Sequence, residues 1–521
     1  MPATHATAVD LAKVYADPQR HKFLRFLALG DVVEVIDITS KHLEIRTPVF
    51  EQLNDDSVRP TPRSGFIVPT RTSGLKPGDI VVPRSESKVL SVEFVDVQQG
   101  DGAVLVSPSG KVVLIDGGDN QLFARYLAGQ FRGTSLQQPK EIDCIVVTHG
   151  DADHFSGLTE ILDSESRRTT PWKQLFINPR RVYHNGLVKR PTKRPDGRER
   201  KETEMLGATV EMQGRPVIVG LEDDLLQVPD AEMNRPFKAW KKTLTEYSQR
   251  YGPIQMHRLK LGDDGAFDFL HGDGLQVEVL GPLPLSTLDG REGLPFLGEP
   301  EHRPHMSGHP RKFTGASASH TINGHSIVLR LTFGNVRFLF AGDLNAQAEL
   351  ELLKNHTAKL EAEVLKVPHH GSADFSPEFM RAVQPVVSVI SSGDESEDKE
   401  YIHPRAALVG ALGRHSRLDE PLVLCTELAA FFAVRGFVGT AWHQMQPGFK
   451  KSQDSRVVDL TDPKHQRFFA FSRSAFGIVR MRTDGKRLLV STDSANVEMR
   501  EAYAFEVGPG GQVIPATVRI G

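Results

Sequence analysis

Residues 148–154 read Thr148-His149-Gly150-Asp151-Ala152-Asp153-His154 and follow directly on the apolar stretch IDCIVV at 142–147. Four potential metal ligands, His149, Asp151, Asp153 and His154, fall within six residues. The stretch that follows, FSGLTEIL at 155–162, carries a helical pattern. An apolar strand that ends in a polar cluster before a helix is how α/β folds set functional side chains along one edge of a sheet. Imidazole and carboxylate together suit Zn²⁺, Mn²⁺ or iron, and no thiolate is present to suggest a structural zinc site. The alternative for such a loop is a solvated acidic turn with the histidines as caps. The density of ligands favours a metal.

The same texture recurs on both sides. VEFVDV (92–97), AVLVS (103–107) and KVVLIDGG (111–118) form a run of strands closed by tight turns. IVLRLTF (327–333) and VRFLFAGD (336–343) make a second hairpin around Gly334-Asn335, and NAQAELELLKNH (345–356) continues as a helix. AEVLKVPHHGS (362–372) is strand then loop, PEFMRAVQ (377–384) is helix, and VVSVISSG (386–393) is a further strand before Ile402-His403-Pro404. Three regions are expected: a small, mostly β module over 1–90, a core over 91–455 interrupted by an insertion at about 165–320, and a β-rich stretch over 456–521. Within the first, residues 7–28 carry a weak helical pattern broken by Pro18.

Composition bounds the rest. The chain has 521 residues, with 63 Lys+Arg against 66 Asp+Glu and a formal net charge of −3, which argues against a wholly basic nucleic-acid coat but not against a local basic patch. Its 39% hydrophobic content is too high for a disordered tail. Cys144 and Cys425 are the only cysteines, so neither a disulfide framework nor a CxxC metal motif is available. The N-terminal stretch lacks a signal-peptide pattern, and no segment approaches the ~20 apolar residues of a membrane span. The expected setting is a reducing cytoplasm, with no membrane association.

The motif at 148–154 resembles the HxHxDH signature of the metallo-β-lactamase fold superfamily, with Asp151 where the second histidine usually stands. Read with the VDVQQGDG…IDGGD stretch (95–119), a Ser-led hairpin from Ser326 to Asp343, KVPHHGS (366–372) and His403-Pro404, the chain resembles the soluble hydrolase domain of ComEC-type competence proteins. That family's channel-forming membrane segments are not matched. The resemblance implies an αββα sandwich, and a metal-dependent phosphodiesterase or nuclease with two divalent ions, Zn²⁺ or Mn²⁺, and a metal-activated water. A nucleic acid or nucleotide would be the substrate. Rival readings are a hydrolase of another ester, lactone or thioester, and a metal-binding scaffold without turnover.

The residues expected to hold metal are His149, Asp151, Asp153, His154, Asp343 and His370. Asp153, His369 and His403 are expected to act on the substrate. Asp343 is implied as the carboxylate between two ions, with a helix N-cap as its plainer role. Neighbouring side chains diverge, so one of His369 and His370 should be a ligand and the other a substrate contact; His370 is favoured as ligand. Asp116 can orient a ligand histidine from behind. Asn323 and Ser326 fit the subgroup's third motif, which leaves His320 an open candidate. His302, His305 and His309 read as a solvated loop. The basic run 180–201 has nine Lys/Arg against Asp196 and Glu199. It is either a mobile surface loop or a grip on a phosphodiester backbone, with Tyr183 and Trp172 available to stack bases.

Overall fold

A computed structural model describes residues 3–52, 58–70, 73–300, 313–356, 359–393, 403–426, 478–493 and 502–521. Strands between Ala3 and Pro83 build a seven-stranded sheet, running from Phe23–Ala28 at one edge to Val81–Pro83 at the other. Its pairings are antiparallel. Val14, Leu27, Val33, Leu43, Ile45 and Ile67 form its core. The helical pattern over 7–28 is corrected here. Leu11–Tyr15 and Phe23–Ala28 are paired strands, because alternate residues face the core of the module.

The next two sheets make the expected sandwich. The first holds ten strands, in the order Gln255–Arg258, Arg181–His184, Cys144–Val146, Val112–Asp116, Gly102–Val106, Leu90–Phe94, Ile478–Thr483, Arg487–Asp493, Ala502–Val507, Val513–Ala516. The second holds six: Leu275–Gly281, Val328–Phe333, Val336–Phe340, Val364–Lys366, Val387–Ile390 and Leu422–Cys425. Strand alternation divides each sheet between two cores. Phe94, Leu105, Val113 and Ile115 pack against Val277, Leu329, Phe338 and Phe340 between the sheets. Val104, Val112, Leu114 and Ile145 face outward onto α1 (Leu122–Gln130), α2 (Ala152–Ser164) and α3 (Arg235–Tyr251). A short α4 (Ala318–Gly324) precedes the second sheet's hairpin. Leu339 and Leu365 face α5 (Ala346–His356), α6 (Pro377–Val383) and α7 (Ala406–His415). Helices thus cover both outer faces, giving αββα layering.

Two parts of the expected organisation differ. Most of 165–320 belongs to the sandwich: Arg181–His184 and Gln255–Arg258 extend the first sheet in parallel, and Leu275–Gly281 pairs with Val328–Phe333 in the second. These strands are short, and one begins inside a basic run, so no hydrophobic alternation announces them. What remains inserted is a four-stranded sheet (209–218 and 285–295) and the strand pair Leu297–Pro300 with Phe313–Ser317. The C-terminal strands, in turn, are continuous with the first sheet through Ile478–Thr483 and Leu90–Phe94. Arg487 carries them onto the N-terminal module, its Nε donating to Asp10 at 2.8 Å. Cys144 and Cys425 are both buried free thiols. No helix among the described residues is long and apolar enough to cross a membrane.

Candidate metal centre

Parallel pairing brings the carboxyl ends of strands from both sheets together, where α/β folds place their ligands. Val112–Asp116 ends in Asp116, and Cys144–Val146 runs through the 147–151 loop into the first turn of α2, which carries Asp153 and His154. In the second sheet Val336–Phe340 leads to Asp343, and Val364–Lys366 leads to His369 and His370. Gly342, at φ +49°, lies so close to Ser326 that an added Cβ would stand 2.6 Å from the serine Cβ.

Asp343 is the meeting point. Its Oδ2 lies 3.1 Å from His370 Nε2, 3.3 Å from His154 Nε2 and 3.9 Å from His149 Nε2. His370 Nε2 is also 3.6 Å from Asp153 Oδ2. The far side of each histidine is held. His154 Nδ1 meets Asp116 Oδ2 at 2.9 Å, while Thr148 donates to the same carboxylate from its N–H at 2.8 Å and its hydroxyl at 2.7 Å. His149 Nδ1 faces the hydroxyls of Ser326 and Thr148, both at 3.3 Å. His370 Nδ1 lies 3.0 Å from the Ser391 carbonyl and so donates to it.

These contacts leave inward-facing atoms unsatisfied. Nε2 of His149, His154 and His370 and Oδ1 of Asp343 are buried without a hydrogen bond. Buried polar atoms ordinarily find partners, and three such imidazole nitrogens around one carboxylate are suited to hold a cation. His149, His154 and Asp343 form one trio able to hold an ion, and Asp153, His154 and His370 form another. The nitrogen and oxygen donor set fits Zn²⁺ or Mn²⁺.

Charge in the cluster is uneven. Burial holds His149 well below the ordinary imidazole range, with His154 adding to the effect. Burial also opposes protonation of His154 and His370. Asp343 outweighs it at both, aided by Asp116 for His154 and Asp101 for His370, and raises both well above that range. Burial would raise Asp343, yet His370 and His154 hold it well below the ordinary carboxyl range. Protons on two histidines thus stand where a metal would, and metal uptake has to displace them.

The other expected residues fall into place around this centre or apart from it. Asp151 stands apart: its Oδ1 pairs with Lys189 Nζ at 2.7 Å, and it belongs to neither trio. His320 is also outside, 3.6 Å from Asp374 and 4.0 Å from Glu299. His369 and His370 diverge, their rings tilted by 72°, and both take left-handed backbone (φ 49° and 51°). Such conformations persist only where surroundings impose them. His369 N–H donates to the Gly342 carbonyl at 3.1 Å, and its Nε2 lies 3.4 Å from Asn323 Nδ2. His403 lies beside it, with ring centroids 6.0 Å apart and planes tilted by 48°. Burial, together with the nearby His369 and His370, pushes His403 down to about 4. His302, His305 and His309 lie outside the described residues.

Two residues at the centre were not singled out from the sequence. Asp101 closes the QQGD turn, where Gly100 (φ +103°) packs onto the Asp153 carbonyl so tightly that a Cβ would fall 1.8 Å from its oxygen. Lys366 ends its strand, buried and ion-paired to Asp101. The glycine before Asp101 was the available signal; a lysine closing an apolar strand gave none. In the basic run Tyr183 is buried, its hydroxyl donating to the Ala266 carbonyl at 2.7 Å, so it is not free to stack on a base.

Part of the chain is similar to known proteins. Residues 102–166 match the family model described as the metallo-beta-lactamase superfamily. ComE operon protein 3 of Bacillus subtilis is 36% identical over 95 residues, which is 18% of this chain and 12% of that protein. Competence protein ComA of Neisseria gonorrhoeae is 36% identical over 94 residues, 18% of this chain and 13% of that protein. The match thus spans a small part of these relatives' length. Among solved structures, CmlA, a diiron beta-hydroxylase from Streptomyces venezuelae, aligns over 74% of this chain and 67% of its own, with 13% identity and a TM-score of 0.28. The chain carries a domain of the metallo-β-lactamase superfamily, similar to that of ComEC-type competence proteins.

Proposed function

We propose that this protein is a metal-dependent phosphodiesterase, acting on a nucleic acid or a nucleotide. The observation that carries the reading is the convergence of three buried, hydrogen-bond-free histidine nitrogens on Asp343, with Asp153 alongside. His149, His154, Asp153, Asp343 and His370 would hold one or two divalent ions. Bound ions supply Lewis-acid polarisation of a phosphate oxygen and a nucleophilic water at neutral pH. The chain's own groups do the positioning. Asp116 fixes the tautomer of His154, and the Ser391 carbonyl fixes that of His370. His369 and His403 would line the approach to the ions, and with its pKa pushed down to about 4 His403 is neutral at pH 7. It therefore offers a hydrogen bond to a phosphate oxygen or leaving group without a charge. The phosphodiester class is supported by the ordered QGD, IDGG, HHGS and His-Pro motifs shared with the ComEC-type hydrolase domain, and by a donor set free of thiolate.

The test is a substrate panel on protein reconstituted with Zn²⁺ or Mn²⁺: bis-p-nitrophenyl phosphate, single- and double-stranded DNA, RNA and cyclic nucleotides. Cleavage of at least one diester is expected, abolished by a chelator. Turnover of carboxylic esters, lactones or thioesters with every diester untouched would overturn the reading.

A further inference from the structure

We propose that the ammonium of Lys366 is a built-in cation that claims Asp101 and keeps this carboxylate from holding a metal ion. The proposal rests on the metal-centre reading above. Asp101, Asp343 and His370 offer ligand atoms close enough together to hold an ion, and Asp101, Asp116 and His154 do the same. Asp101 is common to both trios, so it decides whether the centre extends beyond the two trios that share His154. Lys366 occupies it. The lysine Nζ is ion-paired to Asp101 Oδ2, lies 3.3 Å from the Gly342 carbonyl, and stands 3.9 Å from Asp343 Oδ1. An ion bound by Asp101 and Asp343 would have to share their oxygens with this ammonium at close range, where like charges repel most strongly in a buried site.

The same pair has a second effect. With one oxygen held by Lys366, Asp101 presents the other 3.3 Å from His370 Nδ1. The Ser391 carbonyl lies on the same side, so Nδ1 faces acceptors only and carries its proton. Nε2 is then the nitrogen that faces Asp343 and Asp153, and the one from which a binding ion would displace a proton. Asp116 does this for His154 without a cation, because Thr148 supplies two donors to it. Asp101 lacks such neutral donors and uses Lys366 in their place. Asp101 and Lys366 are therefore positioning residues.

Zn²⁺ titrated into metal-free protein tests this, with ions counted by native mass spectrometry and affinity measured against a chromophoric chelator. Asp101→Asn should bind as many ions as the wild type, because Asp101 donates no ligand. Lys366→Met, which releases Asp101, should take up one further ion or bind at least tenfold tighter. That gain should vanish in the Asp101→Asn/Lys366→Met double variant. Loss of one ion from Asp101→Asn, or no gain in Lys366→Met, overturns the proposal. If Lys366→Met is unfolded without metal, Zn²⁺ should restore its circular dichroism, and failure to do so overturns the proposal equally. A wild type that binds no ion removes the metal-centre reading and this proposal with it; a metal-binding wild type whose variants behave otherwise removes the proposal alone.

Discussion

Two groups of buried charge use the first sheet, and they are balanced differently. Glu93 accepts from Arg482 at 2.6 Å and from the Tyr126 hydroxyl, with Arg480 at 3.6 Å. Arg482 also reaches Asp31 at 3.5 Å. Each charge there meets its opposite on another element, which ties α1, the C-terminal strands and the N-terminal module to one point. At the metal centre Asp101, Asp116, Asp153 and Asp343 gather around three histidines and, among the described residues, the one ammonium of Lys366. Five side-chain atoms there, Nε2 of the three histidines and Oδ1 of Asp101 and Asp343, are left without hydrogen bonds. A cluster whose charges are paired across elements staples a fold; one whose ligand atoms converge on a shared carboxylate is built to hold an ion.

The largest effect expected comes from the unbalanced side. Asp343→Ala should remove metal and lower diester hydrolysis by on the order of 1,000-fold or more, since the ions are worth several kcal/mol at the transition state. Asp153→Ala combined with His154→Ala should do the same. Metal analysis beside circular dichroism checks both. A folded variant with full ion content would show that the two clusters are alike after all.

The balanced side predicts the reverse pattern. Arg482→Met leaves Glu93 buried with one cation fewer and should cost about 3–5 kcal/mol in urea unfolding, with ion content unchanged. Burial pushes the Glu93 carboxyl up, but Arg482 and Arg480 outweigh it and hold it below the ordinary value. A depressed carboxyl stabilises the fold above the unfolded pKa of about 4.3, and that share is lost as pH falls through the lower folded value. Wild-type stability should therefore drop on acidification below about pH 4, and Glu93→Gln/Arg482→Met should show a shallower drop. Equal slopes would mean that Glu93 is not the titrating group.

A smaller effect sharpens the comparison within the metal centre. Asp116→Asn keeps an acceptor near His154 but loses the charge that orients it, and should lower metal affinity by about 10–100-fold. Complete loss of one ion would make Asp116 a ligand instead.

Legibility follows the same division. His149, Asp153 and His154 are readable because one short motif carries them across a strand end and the first turn of α2, and Asp343 because a strand leads to it. Lys366 and Asp101 become meaningful only when two sheets bring them together from positions 265 residues apart, and no local pattern encodes that meeting. Asp151 misled for the opposite reason. It sits in the motif, but Lys189 from the neighbouring strand's loop takes its carboxylate. The αββα core was implied by the resemblance of the ordered motifs, and the hairpins and strand–loop–helix turns are compatible with it. The N-terminal strands were not legible, since residues 7–28 are too short and mixed to separate period 2 from period 3.6.

The smallest effect concerns the basic run 180–201, where pairing resembles the balanced cluster. Arg180 meets Glu141, Lys189 meets Asp151, Arg190 meets Glu232, Arg194 meets Glu204 and Arg198 meets Asp196. Arg181 lies over the Phe269 ring at 4.4 Å. A cation already neutralised has little counterion left to release when a phosphate arrives. Replacing Arg190 and Arg194 by Ser should therefore lower the log–log salt slope for duplex DNA by less than about 1, although two full phosphate contacts would remove ~1.8. Cleavage of a small chromogenic diester should stay the same, because neither residue touches the metal centre. A slope change near the full value would mean that the run grips a polymer despite its internal pairs. A flat slope leaves it a braced surface segment and favours a small nucleotide as the substrate.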